Sequence, residues 1–229
     1  MKITDCKVEL LDTMGDDISV VNAARVSFHK KSYYMYDDDD PMVEYMSEKD
    51  QKLLKYLADN NHIIPFAHCF LSFRIKAPIF IARQLGKHQV GLAWSEVSRR
   101  YVDEEPEFFF PKEHEWRKKS INIKQGSSSE CVEEIPYEIE ECVGFCFETY
   151  HNMLESDICP EQARMILPQN MMTEWIWSGS LLAFIRVCNL RLDSHTQKET
   201  QDVAKEIAYH LDMRFPESWK VCKKFNENL

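Results

Sequence analysis

The chain has 229 residues and a formal net charge of −10 at pH 7. This length is sufficient for one domain with a substantial core, and we expect a single domain over residues 1–229. The acidic balance argues against general nucleic-acid binding, which needs a broad basic surface. No apolar run reaches membrane-spanning length, and the first residues lack an apolar signal-peptide region. We therefore expect a cytoplasmic protein that binds neither membranes nor nucleic acid.

The eight cysteines form no recognisable metal or redox motif. No CxxC pair occurs, and Cys142 and Cys146 lie four residues apart without a histidine at zinc-site spacing. The expected state is reduced thiols in or near the core, with no metal centre.

Hydrophobic periodicity predicts a succession of strands and helices. Alternation with period two predicts strands over residues 2–12 and 69–77, the second with one buried face. Residues 30–41 and 103–130 are predicted to be loop and extended chain. Apolar residues at helical spacing predict helices over 20–28 (or a turn there), 47–60 with Ser47 as N-cap, 79–89, 135–156, 160–166, a long apolar helix over 171–190, and 194–213.

The segment Arg83–Tyr101 concentrates cations within an otherwise acidic chain. On a helix over 79–89, Gln84, Lys87 and His88 would share one face, because they are three and four residues apart. Arginine and serine donors together make a good phosphate site, since guanidinium groups pair bidentately with phosphate oxygens. The alternative is a solvated surface whose cations form salt bridges with the acidic runs.

The segment Ala163–Gln201 places three arginines among apolar residues. Arg164, Arg186 and Arg191 would each need a partner if buried, because an unpaired buried charge is very costly. Such a partner is either a structural carboxylate or a bound ligand, and the pattern alone leaves both open.

These two segments, together with AARVSF (Ala23–Phe28), resemble the flavin-dependent thymidylate synthases. That family carries an RHR signature, a short spacer, then Asn-Glu, Ser and Arg-Tyr. The corresponding residues here are Lys87-His88-Gln89, Ser95-Glu96, Ser98 and Arg100-Tyr101. The segments FRIKAPIFIARQ, ARMILPQN and NLRLDSHTQ also look like family segments, so the similarity extends from about Val20 to Pro216.

The resemblance implies an α+β fold with a central, mostly antiparallel sheet, flanking helices and a long apolar C-terminal helix. It also implies a homotetramer with active sites shared between subunits, FAD as cofactor, and methylenetetrahydrofolate and NADPH as co-substrates. The implied reaction transfers a one-carbon unit to C5 of a pyrimidine deoxynucleotide and converts dUMP into dTMP.

The resemblance further implies roles for individual residues. Arg191 would be the catalytic residue and would meet the base, where a fixed cation stabilises negative charge developing on the ring. Arg100 and Arg164 are the best phosphate candidates. The implied nucleotide-binding residues are Gln84, Glu96, Ser98, Arg99, Arg100, Arg164 and Arg191. The implied flavin-binding residues are Lys87, His88, Gln89, Ser95, Glu96, Ser180 and Arg186.

The sequence departs from the family pattern around the flavin and the base. The RHR signature has become Lys87-His88-Gln89, the signature Asn is Ser95, and an expected Asn in the late helix is Arg186. Two further functions are therefore left open. One is hydroxymethylation of dCMP, since hydrogen-bond polarity near the base distinguishes cytosine from uracil. The other is an inactive paralogue that binds nucleotide or flavin.

Overall fold

The computed structural model describes residues 1–101, 104–121, 127–136 and 138–223. The strands are β1 (Lys2–Ile3), β2 (Lys7–Met14), β3 (Met35–Tyr36), β4 (Glu44–Tyr45), β5 (Phe70–Pro78), β6 (Leu92–Glu96), β7 (Glu107–Phe108), β8 (Arg117–Lys119), β9 (Ser127–Cys131) and β10 (Met172–Ser180). The α-helices are α1 (Asp17–Arg25), α2 (Glu48–Asp59), α3 (Ile79–Leu85), α4 (Glu138–Glu155), α5 (Pro160–Ala163), α6 (Leu181–Arg191), α7 (Lys198–Arg214) and α8 (Pro216–Cys222). Short 3-10 helices lie at Val26–Phe28, Ile64–His68, Glu113–Glu115 and Arg164–Ile166.

The main sheet has four strands in the order β2-β5-β10-β6, and all its neighbours are antiparallel. The central pair β5 and β10 is in register from Pro78 opposite Met172 to Phe70 opposite Ser180. The predicted strand over 69–77 is confirmed as β5, because its alternate residues Phe73 and Ile75 are fully buried. A mostly antiparallel sheet with flanking helices is therefore confirmed.

The predicted long apolar helix over 171–190 is wrong. Residues 172–180 form the central strand β10, and only α6 is helical. Trp175 and Trp177 lie two apart and are both buried, so this apolar run has strand periodicity, and aromatic side chains favour strands. Ser180 then begins the helix, since its hydroxyl accepts the N–H of Ala183 at 3.2 Å. A continuous apolar run does not distinguish the two structures by periodicity alone.

The other helices differ from prediction mainly at their ends. Ser47 caps α2 as expected, since its hydroxyl accepts the N–H of Asp50 at 3.2 Å. Helix α7 begins at Lys198 rather than Ser194. Of the segment 103–130, residues 103 and 122–126 lie outside the described residues, and the described part includes β7, β8 and most of β9.

One large apolar core lies between the main sheet and helices α1, α2, α3, α6, α7 and α8. Phe73 and Phe184 meet edge to face inside it, with ring centroids 4.9 Å apart. Asp17 is buried at the start of α1, and its carboxylate accepts the backbone N–H groups of Glu217 and Ser218 at 2.8 and 2.9 Å. This contact ties the start of α8 to α1. Among the described helices, none is long and apolar enough to cross a membrane.

Candidate active site

The loop after α3 carries the altered signature Lys87-His88-Gln89. Helix α3 ends at Leu85, and the N–H of His88 bonds to the Leu85 carbonyl at 3.0 Å in a tight turn. The prediction that Gln84, Lys87 and His88 share one helical face is therefore wrong. Gly86 explains the early end, because glycine has low helix propensity.

The same loop lies along helix α6. At its far end Gly91 adopts φ 77°, a conformation that glycine tolerates readily, and its carbonyl accepts the N–H of Ser180 at 3.1 Å. A Cβ on Gly179 would lie only 2.4 Å from the Gly91 oxygen, so these two backbones approach closely because neither carries a side chain there. The loop is thereby held against the start of α6, and His88 contacts its other end.

That second contact joins His88 to Arg191, the last residue of α6. The Nε–H of Arg191 donates to Nε2 of His88 at 2.9 Å, and its Nη2 donates to the Gln84 carbonyl at 3.3 Å. Both side chains are half-buried. Burial, and then the charge of Arg191, lower the pKa of His88. A neutral His88 whose Nε2 is free to accept is therefore the state that suits this contact.

The phosphate candidates lie around Glu161, at the first turn of α5. Arg100 contacts the Glu161 carboxylate at 3.6 Å, and its Nε donates to the Ser98 hydroxyl at 3.3 Å. The Nε of Arg164 donates to the Glu161 carbonyl at 3.3 Å. Both arginines are exposed, so these contacts are weak and an incoming phosphate could replace them. Arg99 differs, because it is half-buried and donates to the Glu104 carbonyl.

Edge strand β6 carries Ser95 and Glu96, both exposed. The Glu96 carboxylate accepts from the Thr173 hydroxyl at 2.7 Å and from the Trp94 indole at 3.0 Å. Trp94 in turn stacks on Trp175, with ring centroids 4.4 Å apart. A glutamate held on both oxygens has a defined position, which a ligand-binding acceptor requires.

The remaining cationic candidates lie on the surface. Arg186 is exposed on α6, and Arg164 is exposed on its 3-10 turn. Because both side chains are exposed, neither needs the partner that a buried arginine would require. Lys87 and Gln89 are exposed on the loop that lies along α6, whereas Ser180 is buried and caps that helix.

The structure thus assembles the candidates into two hydrogen-bonded groups. One group is Gln84, His88 and Arg191, and the other is Ser98, Arg100 and Arg164 around Glu161. No hydrogen bond or ion pair in the described part of the chain joins the two groups. Sequence reasoning missed Glu161 and Thr173, whose side chains matter only through contacts distant in sequence.

A cavity of about 800 Å³ lies elsewhere, between β2, the β8–β9 hairpin and the start of α7. None of the predicted site residues lines it. The predicted site residues lie instead on α3 and the loop after it, on the end of β10 and on α6, on β6 and the turn after it, and on the 3-10 turn that follows α5.

Comparison with known proteins identifies the family. Residues 9–217 match the family model described as Thymidylate synthase complementing protein. The chain belongs to this family. The flavin-dependent thymidylate synthase of Thermotoga neapolitana is 34% identical over 218 residues, which cover 95% of this chain and 91% of that protein. The enzyme of the same description from Thermosipho africanus is 33% identical over 222 residues, with 95% and 91% covered.

A solved structure shares the fold. A UMP/dUMP methylase from Streptomyces cacaoi, crystallised with 5-Br dUMP, superposes with a TM-score of 0.81 and 25% sequence identity. The match covers 96% of each chain. The predicted resemblance to the flavin-dependent thymidylate synthases is thus confirmed over nearly the whole length of this family member.

Proposed function

We propose that this protein is a flavin-dependent thymidylate synthase that transfers a one-carbon unit from methylenetetrahydrofolate to C5 of dUMP, giving dTMP. The observation that carries the proposal is the fixed guanidinium of Arg191. A guanidinium has five N–H donors, and two of them bond to His88 and Gln84. Three remain for a ligand. Set against O2 and N3 of a uracil whose N3 proton has passed to solvent, they would stabilise the ring anion, and C5 of that anion attacks the methylene carbon as the folate nitrogen leaves.

The residues along α6 fit FAD. Lys87 and Arg186 are exposed cations on the loop and on the helix beside it, and Gln89 adds an exposed amide. We propose that these two cations bind the pyrophosphate of the dinucleotide, because each can pair with phosphate oxygens. The altered signature therefore keeps cationic character, with Arg186 as an additional charge. When bound, FAD supplies the redox chemistry, and the protein provides binding and orientation. NADPH is the proposed reductant.

We assign the nucleotide-binding residues to the two hydrogen-bonded groups described above, one around Arg191 and the other around Glu161. Arg100 and Arg164 would bind the phosphate by exchanging Glu161 for phosphate oxygens, with Ser98 as a hydroxyl donor and Arg99 beside them. Gln84 and Arg191 would meet the base or the sugar. On β6, Glu96 would bind both the nucleotide and the flavin, and Ser95 would bind the flavin.

We also propose that active sites are shared in a homotetramer. Within one chain no hydrogen bond or ion pair of the described residues joins the Arg191 group to the Glu161 group, although we propose that one nucleotide binds to both. A second subunit can supply the missing half. Large exposed apolar side chains support an interface, among them Phe28 at 73%, Tyr33 at 68% and Val26 at 66% relative exposure.

Product mass tests the reaction. The protein is loaded with FAD and incubated with methylenetetrahydrofolate and NADPH, with either dUMP or dCMP as substrate. The proposal predicts dUMP plus a methyl group, and no product when the folate is omitted. Hydroxymethyl-dCMP would establish the alternative reaction instead. Bound FAD without turnover of either nucleotide would indicate the inactive paralogue.

A further inference from the structure

The side chain of Gln84 is held by the first turn of helix α7. Its Nε2 donates to the Oε1 of Gln197, the residue that precedes the helix. Its Oε1 accepts the hydroxyl of Thr200 at 3.2 Å. Gln197 and Thr200 are themselves joined, because the N–H of Thr200 bonds to the Gln197 carbonyl at 3.0 Å. Both ends of one carboxamide are thus bound by a single helical turn.

Burial makes this contact more than a surface interaction. Thr200 is fully buried, with 0% relative exposure, while Gln84 and Gln197 are half-buried. A buried hydroxyl that loses its partner loses stabilisation that water cannot replace. The three side chains therefore hold one another with little access for competing water.

The contact decides what Gln84 can offer to a ligand. A carboxamide has two N–H donors and two acceptor lone pairs, and Gln197 and Thr200 occupy one of each. One donor and one acceptor remain. The terminal torsion of glutamine is soft and close to two-fold, so a free side chain could exchange its donor and acceptor. Here a reversal requires Thr200 and Gln197 to rearrange at the same time.

Gln84 also connects this turn to Arg191. Its backbone carbonyl accepts Nη2 of Arg191 at 3.3 Å, and Arg191 donates to His88. A continuous set of hydrogen bonds therefore leads from buried Thr200 to the base-binding candidate and to the altered signature loop. A turn of the Gln84 carboxamide would change the donor it offers to a ligand, whereas Arg191 bonds to the backbone carbonyl, which that turn leaves in place.

We infer that Thr200 and Gln197 are positioning residues of the nucleotide site, which fix the orientation in which the Gln84 carboxamide meets the nucleotide. This inference rests on the proposed function, because it takes a deoxynucleotide monophosphate as the ligand of Gln84. Neither residue touches the substrate in this account. They act through Gln84, so their effect belongs to nucleotide binding and not to flavin binding.

The test removes one hydroxyl and then restores it. Thr200→Val keeps the shape of the side chain, and we expect the Kd and KM for dUMP to rise about tenfold, as for the loss of one buried hydrogen bond. The kcat should stay within roughly threefold of wild type, and the FAD content should be unchanged. Thr200→Ser should return the KM to within about threefold of wild type.

Two further variants separate positioning from general stability. Thr13→Val is a matched control, because the hydroxyl of Thr13 is buried without a hydrogen-bond partner in the described residues, and it should bind dUMP as wild type does. In a Gln84→Met background, Thr200→Val should have no further effect on the Kd, since both changes remove one interaction. Gln197→Met should reproduce the rise in KM if Thr200→Val folds poorly.

The outcomes distinguish this inference from the proposed function. A Thr200→Val protein with wild-type affinity for dUMP would overturn the inference alone, as would a Thr200→Ser protein that binds as weakly as Thr200→Val. An additive effect in the Gln84→Met background would also overturn it. Absence of both dUMP binding and turnover in the FAD-loaded wild-type protein would overturn the proposed function together with the inference.

Discussion

Replacing Arg191 with lysine separates its charge from its geometry. The guanidinium donates to Nε2 of His88 at 2.9 Å and to the Gln84 carbonyl at 3.3 Å, and its other donors remain for the base. Lysine keeps the charge, but its ammonium is a point charge without the planar fork, so it cannot make both contacts and meet the base. Loss of a preorganised donor to developing negative charge costs about 2.7–4 kcal/mol, or a factor of roughly 100–1000 in kcat.

We therefore expect Arg191→Lys to lower the kcat for dTMP formation by roughly 100–1000-fold while FAD remains bound. The assay is steady-state product formation, with the flavin content read from its visible absorbance. Arg214→Lys at the exposed end of α7 is the matched control and should behave as wild type. A kcat for Arg191→Lys within threefold of wild type would refute the role assigned to this guanidinium.

Three further predictions concern pH and packing. Burial, and then the charge of Arg191, lower the pKa of His88, so its neutral form persists below the usual value of about 6.5. We expect kcat/KM to stay level as the pH falls through about 6.5 and to decline only below it, and a decline that begins at about pH 6.5 or above would contradict the lowered pKa. Gly179→Ala places a Cβ against a backbone oxygen, so we expect the free energy of unfolding, measured in urea, to fall by about 1–3 kcal/mol and FAD to be lost. Gly144→Ala, whose Cβ meets open space, should keep its FAD. Asp17→Asn should lower the free energy of unfolding in urea by about 1–3 kcal/mol, because one amide oxygen cannot replace the two carboxylate oxygens that accept N–H groups at the start of α8. A decrease below about 0.5 kcal/mol would argue against that contact.

The local sequence pattern was sufficient to predict an element of secondary structure wherever one face of that element is buried. The alternation around Phe73 and Ile75 predicts β5, because a strand buried on one side must alternate. Ser47 predicts the start of α2, since a hydroxyl cap acts on the next turn of the same helix. Both signals come from residues adjacent in sequence.

Local pattern failed where partners distant in sequence decide the structure. Residues 172–180 are apolar in a way that fits either a helix or a strand, and their pairing between β5 and β6 selects the strand. The Arg191–His88 contact and the Gln84–Thr200 contact join residues more than 100 positions apart. Family resemblance identified Gln84, His88 and Arg191, but it assigned no role to Thr200, whose hydroxyl bonds to Gln84.

Release of tritium from [5-³H]dUMP is the most direct measure of one-carbon transfer to C5, because a new bond to carbon at C5 must displace the hydrogen there. We expect tritium in water when the FAD-loaded protein receives methylenetetrahydrofolate and reductant, little release without the folate, and roughly 100-fold slower release by Arg191→Lys. No release from dUMP under these conditions, with rapid release from [5-³H]dCMP, would contradict the assignment of uracil as the base. No release from either nucleotide would contradict one-carbon transfer to C5.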